Sequence, residues 1–304
     1  MSRKKKLKKD QSRARGDARH GTDGRVHLVL HRDPVSGAEG VALVSPIFDE
    51  AWQNDVAAGA ANTARGVLRD APSIERAVAL ATNVMTATSR LTEGLLARAP
   101  QGAVACKAGC DHCCYQSVGV TPPEALAIQD HLRKTLPAAD LAAVAAHIAD
   151  RNERTRGLSS NDRFSPEHPC PFLREGRCSI YEVRPLACRG MNSLDAGECA
   201  TRLRDPAARA AFLADGSGGQ SFMEPIRAVH AVSAGIQLGL SELYDLDMRP
   251  LELTAAMHLL LNGPASAADD WAAGKHPFES AVRGDWSADP NLRRLSGAKA
   301  SSAR

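Results

Sequence analysis

The chain is poor in aromatic residues, has no long apolar run and carries a net charge of only +3. Phe, Trp and Tyr make up 4% of its 304 residues, so the core has to be built from small aliphatic side chains, and the abundance of Ala favours helices. No stretch of 18 apolar residues occurs, which excludes a membrane-spanning helix. The first charged residues are not followed by an apolar segment, so no secretory signal is expected. Without export, the thiols are expected in the cytoplasm, where a disulfide framework is disfavoured. A glycine-rich phosphate loop, G-x-S-x-G, H-E-x-x-H and a dinucleotide fingerprint are all missing, which removes the commonest nucleotide-binding and hydrolytic signatures.

What is present begins with a charge asymmetry. Residues 1–20 hold nine Lys/Arg against Asp10 and Asp17, a local +7, which leaves −4 for the remaining 284 residues. Such a block repels itself and has too little apolar surface to fold, so residues 1–24 are expected to be a disordered basic tail. A weak anionic partner is conceivable for it, but no aromatic side chains interleave to stack on bases.

Turn residues around Asp33-Pro34 separate two apolar runs, Val26–His31 and Gly40–Val44, which reads as a short hairpin. Helical periodicity runs over Phe48–Arg69 and Ser73–Ala99. In the second, Val78, Met85, Leu91 and Leu95 are expected to share a buried stripe. Thr121-Pro122-Pro123-Glu124 is a helix start with a capping box, and Pro137 ends that helix. An Ala-rich helix follows over Ala138–Arg156. Gly and Pro then punctuate residues 157–200 every few positions, leaving little room for long helices. Helical pattern returns from Asp205-Pro206 to about Leu213, over Glu224–Tyr244 and over Leu251–Asn262. The expected fold is mainly α, with helices flanking an irregular cysteine-rich knot and a short N-terminal β-hairpin. The expected divisions are a tail (1–24), a hairpin and helical region (25–100), a cysteine-cluster metal-binding domain (101–200), C-terminal helices (201–275) and a flexible tail (276–304).

Eight cysteines fall in two quartets: Cys106, Cys110, Cys113 and Cys114, then Cys170, Cys178, Cys188 and Cys199, with 55 residues between Cys114 and Cys170. Structural core cysteines do not cluster in this way, whereas closely spaced pairs are the signature of metal ligands. On one ideal helix the first quartet would share an arc of roughly 100°, yet Cys106 and Cys114 would stand ~12 Å apart along the axis. Sulfurs on one zinc must lie within ~4 Å of one another. Either Gly109 bends the segment into a knuckle or each metal draws ligands from both quartets. The second arrangement is preferred, with the adjacent Cys113 and Cys114 pointing to different centres. Eight thiolates suit two zincs, two four-iron clusters, or one metal with spare thiols. His112 and His168 lie among them and are further candidate ligands.

The first block, Cys106-Lys107-Ala108-Gly109-Cys110-Asp111-His112-Cys113-Cys114 followed by Val120-Thr121-Pro122-Pro123-Glu124-Ala125, resembles the YkgJ-type cysteine-cluster family. So does the second: Cys170-Pro171-Phe172-Leu173, Gly176-Arg177-Cys178-Ser179-Ile180-Tyr181 and Arg184-Pro185-Leu186-Ala187-Cys188-Arg189. The resemblance implies zinc or iron chelation, with an iron–sulfur centre as one form of it. It covers about a third of the chain, and here the first gap is C-x3-C where the family has C-x2-C. Tyr181, Arg184 and Arg189 are its non-cysteine members. They are candidates for binding a group beside the metal or for offsetting the negative charge of several thiolates. Similar blocks occur in the flagellin lysine methylase, which implies an iron–sulfur or methyl-transfer enzyme as the alternative. The sequence is silent on oligomeric state.

Overall fold

The computed structural model describes residues 27–32, 39–44, 49–69, 71–215, 219–244 and 246–282. The basic tail and everything after Val282 lie outside them. The architecture is mainly helical. Strands β1 (His27–Arg32) and β2 (Glu39–Val44) form the expected hairpin, in register from His27↔Val44 to Arg32↔Glu39. Helix α1 (Glu50–Leu68) is capped by Asp49, which accepts from the Trp52 N–H, and α2 (Ile74–Leu96) by Ser73, which accepts from the Arg76 N–H. Two-residue strand β3 (Gly119–Val120) leads into α3 (Pro122–Thr135), and α4 (Ala138–Thr155) follows Pro137.

The loop-rich segment contains only short elements: α5 (Ser160–Arg163), the two-residue pair β4 (Leu173–Arg174) and β5 (Arg177–Cys178), α6 (Leu186–Gly190) and α7 (Ala196–Arg204). Helix α8 (Pro206–Asp215) precedes β6 (Ser221–Phe222), which pairs in parallel with β2. The long α9 (Met223–Leu243) then packs along α1 and α2.

Three sequence expectations change. The expected helix over 251–262 begins with a strand, β7 (Leu251–Glu252), antiparallel to β3, and only then becomes α10 (Leu253–Asn262). The buried stripe of α2 runs through Ala77, Leu80, Ala81, Val84, Met85, Thr88, Thr92 and Leu95, so Met85 and Leu95 lie on it while Val78 and Leu91 flank it half-buried. Small residues at 77 and 81 let α2 approach its neighbours on a face that a search for large aliphatics overlooks. Within the expected C-terminal helices, α11 (Ala267–Ala272) buries Trp271 completely, and Phe278 and Ala281, inside the stretch read as a flexible tail (276–304), join the core. One hydrophobic cluster of buried residues extends from Ala64 to Ala281. No described helix is long and apolar enough to cross a membrane.

The far end of this core is pinned by Asp247. Its side chain is 2% exposed and receives Arg249 through Nε at 2.9 Å and Nη2 at 2.8 Å, with His276 Nδ1 at 3.3 Å. Its backbone carbonyl accepts from Trp271 Nε1 at 2.9 Å. Burial alone would push the carboxyl up, but the Arg249 and His276 hydrogen bonds outweigh it and hold Asp247 below the usual carboxylate range. The stabilisation is therefore complete above the unfolded-state value, near 3.9, and disappears as pH falls through the lower native value. Asp247→Asn should cost about 1–2 kcal/mol at pH 7, discounted for the partly exposed arginine, and should lose less stability on acidification to pH 3 than the parent. Thermal unfolding of both proteins across that range checks this. Parallel acid limbs would show that Asp247 does not carry the linkage.

Candidate metal centre

The first cysteine block is not a helix. Gly109 sits at φ 86°, a left-handed turn that favours glycine, and a short 3-10 turn covers His112–Tyr115. The segment is a knuckle. It is joined to the second block by backbone bonds: the Cys170 N–H donates to the Cys114 carbonyl at 2.7 Å, and the Ala105 N–H to the Ser193 carbonyl at 2.8 Å. Gly176, in the β4–β5 turn at φ 72°, lies against Gly109. Although 55 residues apart in sequence, the quartets meet in space.

They also regroup. Cys106 Sγ accepts from the Ser193 N–H at 3.2 Å, and its electrostatic neighbours are Cys110, Cys113 and Cys199. Cys199 lies on α7, which packs against the 112–115 turn. On the inner side, Cys170, Cys178 and Cys188 back onto the hydrophobic core. Cys170 and Cys178 are close along the β4–β5 hairpin, where the Leu173 N–H bonds the Cys170 carbonyl at 3.0 Å and Leu173 pairs with Cys178. Cys188 has Cys170, Cys113 and Cys178 as neighbours.

All eight cysteines are free thiols. Desolvation raises Cys106, Cys178 and Cys188 and pushes Cys170 up to about 12. Cys113 is held up chiefly by its hydrogen bond with Cys114. Among the described residues, no three His, Cys, Asp or Glu side chains yet stand in a coordinating arrangement, so closing a site takes side-chain rotation. Cys106 and Cys113, both exposed, have room for it.

Buried donors without acceptors test whether a metal–thiolate group fits here. Arg184 Nε and Arg202 Nε are buried and have no hydrogen-bond partner. Arg202 already donates from Nη2 to Cys199 Sγ at 3.1 Å and stacks on Phe212, 4.2 Å from the ring centroid. Arg184 stacks on Tyr181 at 4.0 Å and lies in the field of Cys113, Cys178 and Cys188. Metal-bound thiolates carry net negative charge and accept N–H bonds, so they supply what both arginines lack. The donor set fits.

The remaining candidates have different surroundings. Arg189 is 5% exposed and its nitrogens are used on protein: Nε on the Arg184 carbonyl at 3.0 Å, Nη2 on the Glu182 carbonyl at 2.7 Å, and Nη1 on Ser89 Oγ. It braces the loop before Cys188. Tyr181 is 62% exposed. His112 faces Asp111 at 3.7 Å. His168 has a buried Nδ1 without a partner, and burial together with Arg163 pushes its pKa down.

Four supporting residues escaped the sequence reading. Arg163, 1% exposed, donates to the Tyr115 carbonyl at 3.4 Å and to the His168 carbonyl, holding the end of one block to the start of the other. Asn192 bonds both backbone groups of Phe222, at 2.7 and 2.8 Å, so that Ser193 is presented to Cys106. Arg202 is separated by one helical turn from Cys199, which is a legible signal. Arg163, Asn192 and Ser193 act across long sequence separations and give none.

Glu124 has a second partner. Its carboxylate accepts from Thr121 N and Oγ1, both at 2.8 Å, as the capping box predicts, and also from the Leu186 N–H at 2.8 Å. The same group therefore starts α3 and α6, and α6 carries Cys188. Burial pushes the Glu124 carboxyl up, against the pull of those donors and Arg189.

The fold gathers the two cysteine blocks into a thiol-rich region set into a helical protein. Residues 105–204 match the model of the CxxCxxCC family, described as a "putative zinc- or iron-chelating domain". No curated protein and no solved structure matches the chain.

Proposed function

We propose that the protein is a metal-binding protein that holds zinc or iron through thiolates from both cysteine blocks, and that it works in the reducing cytoplasm. All eight cysteines, Cys106 to Cys199, serve as the ligand pool. Arg184 and Arg202 supply N–H bonds to the bound sulfurs, Tyr181 supports Arg184 and Arg189 holds the Cys188 loop. The observation that carries this reading is the joining of the two blocks at the cysteines themselves, by the Cys170–Cys114 backbone bond and the Ser193–Cys106 bond. Metal bound there would tie down a segment with only short helices of its own.

An all-thiolate donor set accepts zinc and iron–sulfur centres alike, so the first experiment is anaerobic purification. Zinc, iron and acid-labile sulfide per chain are then measured beside the visible spectrum. A coloured, sulfide-containing protein identifies a cluster, and a colourless one with zinc identifies a tetrathiolate site. Cys113→Ser and Cys188→Ser should each lower metal content in either case. If both variants keep the parent's content, those two cysteines leave the ligand pool. A metal-free protein after reconstitution with either metal would reject the function.

A further inference from the structure

We propose that the eight cysteines form two separate four-sulfur centres, divided at the Cys113–Cys114 pair and each provided with its own arginine. This rests on the metal-binding reading above and deepens it. The outer centre takes Cys106, Cys110 and Cys199, the inner one Cys170, Cys178 and Cys188, and the vicinal pair gives one sulfur to each.

The grouping follows from placement. Cys106 accepts from the Ser193 N–H, and Cys199 sits on α7 against the turn that carries Cys113 and Cys114. The inner three pack on the hydrophobic core. Cys113 is the seam, because Cys106 senses it on one side and Cys178 and Cys188 on the other. The Cys113 and Cys114 sulfurs are hydrogen-bonded to each other, but consecutive positions on a 3-10 turn leave the backbone about 120° apart, so rotation about χ1 can turn one sulfur to each centre. Three sulfurs plus one on each side completes tetrahedral coordination twice, with no thiol left over.

The arginines are the independent observation. Each centre has one guanidinium stacked on one aromatic ring, Arg202 on Phe212 and Arg184 on Tyr181, and each has a buried Nε without an acceptor. Arg202 reaches Cys199 of the outer group, while Arg184 lies in the field of Cys113, Cys178 and Cys188. Two separated anionic sites need separate counter-charges. A single shared centre would leave one of these arginines without an anion to serve.

The test is an anaerobic titration of the chelator-stripped full chain with cobalt(II) and then zinc. Bound equivalents are counted by native mass spectrometry, and each cysteine's protection from alkylation is mapped. The parent should saturate at two equivalents with thiolate-to-cobalt charge-transfer bands. Cys199→Ser should bind one equivalent and keep Cys170, Cys178 and Cys188 protected, and Cys178→Ser should give the mirror image. Arg202→Met should weaken only the outer equivalent, by about tenfold.

Saturation of the parent at one equivalent, or loss of protection across all eight cysteines in either variant, would overturn the two-centre arrangement while leaving metal binding intact. No binding by the parent would instead reject the function on which it rests. Should Cys178→Ser fail to fold, Cys199→Ser decides alone: one equivalent retained supports two centres, and none or two retained overturns them.

Discussion

Glu124→Ala should destabilise the protein by about 3–5 kcal/mol, because it removes the partner of a buried charge and strands several donors at once. Glu124 is 3% exposed. Without it, the Thr121 N–H and hydroxyl and the Leu186 N–H lose the acceptor they share, and the Arg189 guanidinium loses its nearby opposite charge. The loss is not confined to α3. Leu186 begins α6, and Cys188 lies two residues further on, so the inner sulfurs should loosen together with the cap. Chemical denaturation and metal content should therefore fall in the same variant. Glu124→Gln keeps one acceptor oxygen and should lie between the two. A Glu124→Ala protein within 1 kcal/mol of the parent, or one that loses stability but keeps its metal, would show that α3 and α6 are not coupled through this carboxylate.

The double role of Glu124 marks the boundary of what the sequence discloses. Its place in the capping box is a local pattern, T-P-P-E, and was legible. Its bond to Leu186 joins residues 62 apart, and no periodicity encodes that. The same division runs through the site. Two cysteine quartets were evident from spacing alone, whereas a bend at Gly109 was only the less favoured of two alternatives, and its φ of 86° makes it one. How the quartets divide in space was not evident, because Cys199 reaches Cys106 through α7 and through a Ser193 positioned by Asn192 and Phe222. Arg189 looks like a binding residue in a signature motif, yet its neighbours use its nitrogens for bracing. The helices fared better, since capping residues, Pro137 and the 3.6-residue period are all local. The burial of Phe278 fell outside the reading because it lies beside a single bridge from Val282 to Leu251, an element too brief to leave a repeating pattern.

Gly235→Val should be the most damaging small substitution in the helical framework, at about 3 kcal/mol. Gly235 and Gly239 are four residues apart on α9, on the face that meets Ala57 and Ala61 of α1. A Cβ on Gly235 would lie 2.8 Å from the Ala57 carbonyl carbon and closer still to its oxygen, and one on Gly239 would lie 2.7 Å from the Ala61 oxygen. The obstacle is backbone in both cases, so no side-chain rotation relieves it and the helices must separate. Propensity pulls the other way: Gly costs roughly 1 kcal/mol more than Ala in a helix interior, so glycine persists here against its own helical preference. Gly59 and Gly66 on α1 are the control, because nothing lies within 4 Å of a Cβ built on either. Gly59→Ala and Gly66→Ala should therefore stabilise by a few tenths to about 1 kcal/mol, whereas Gly235→Ala should not. Separation of α1 and α9 would also reach the thiols, because α9 packs against α6 at Gly190, where an added Cβ would meet the Pro225 carbonyl at 3.0 Å. Equilibrium denaturation of the four variants, with metal affinity measured on Gly235→Val, tests both links. Equal effects at Gly59 and Gly235 would mean that helix propensity, not the approach of the two backbones, decides these positions.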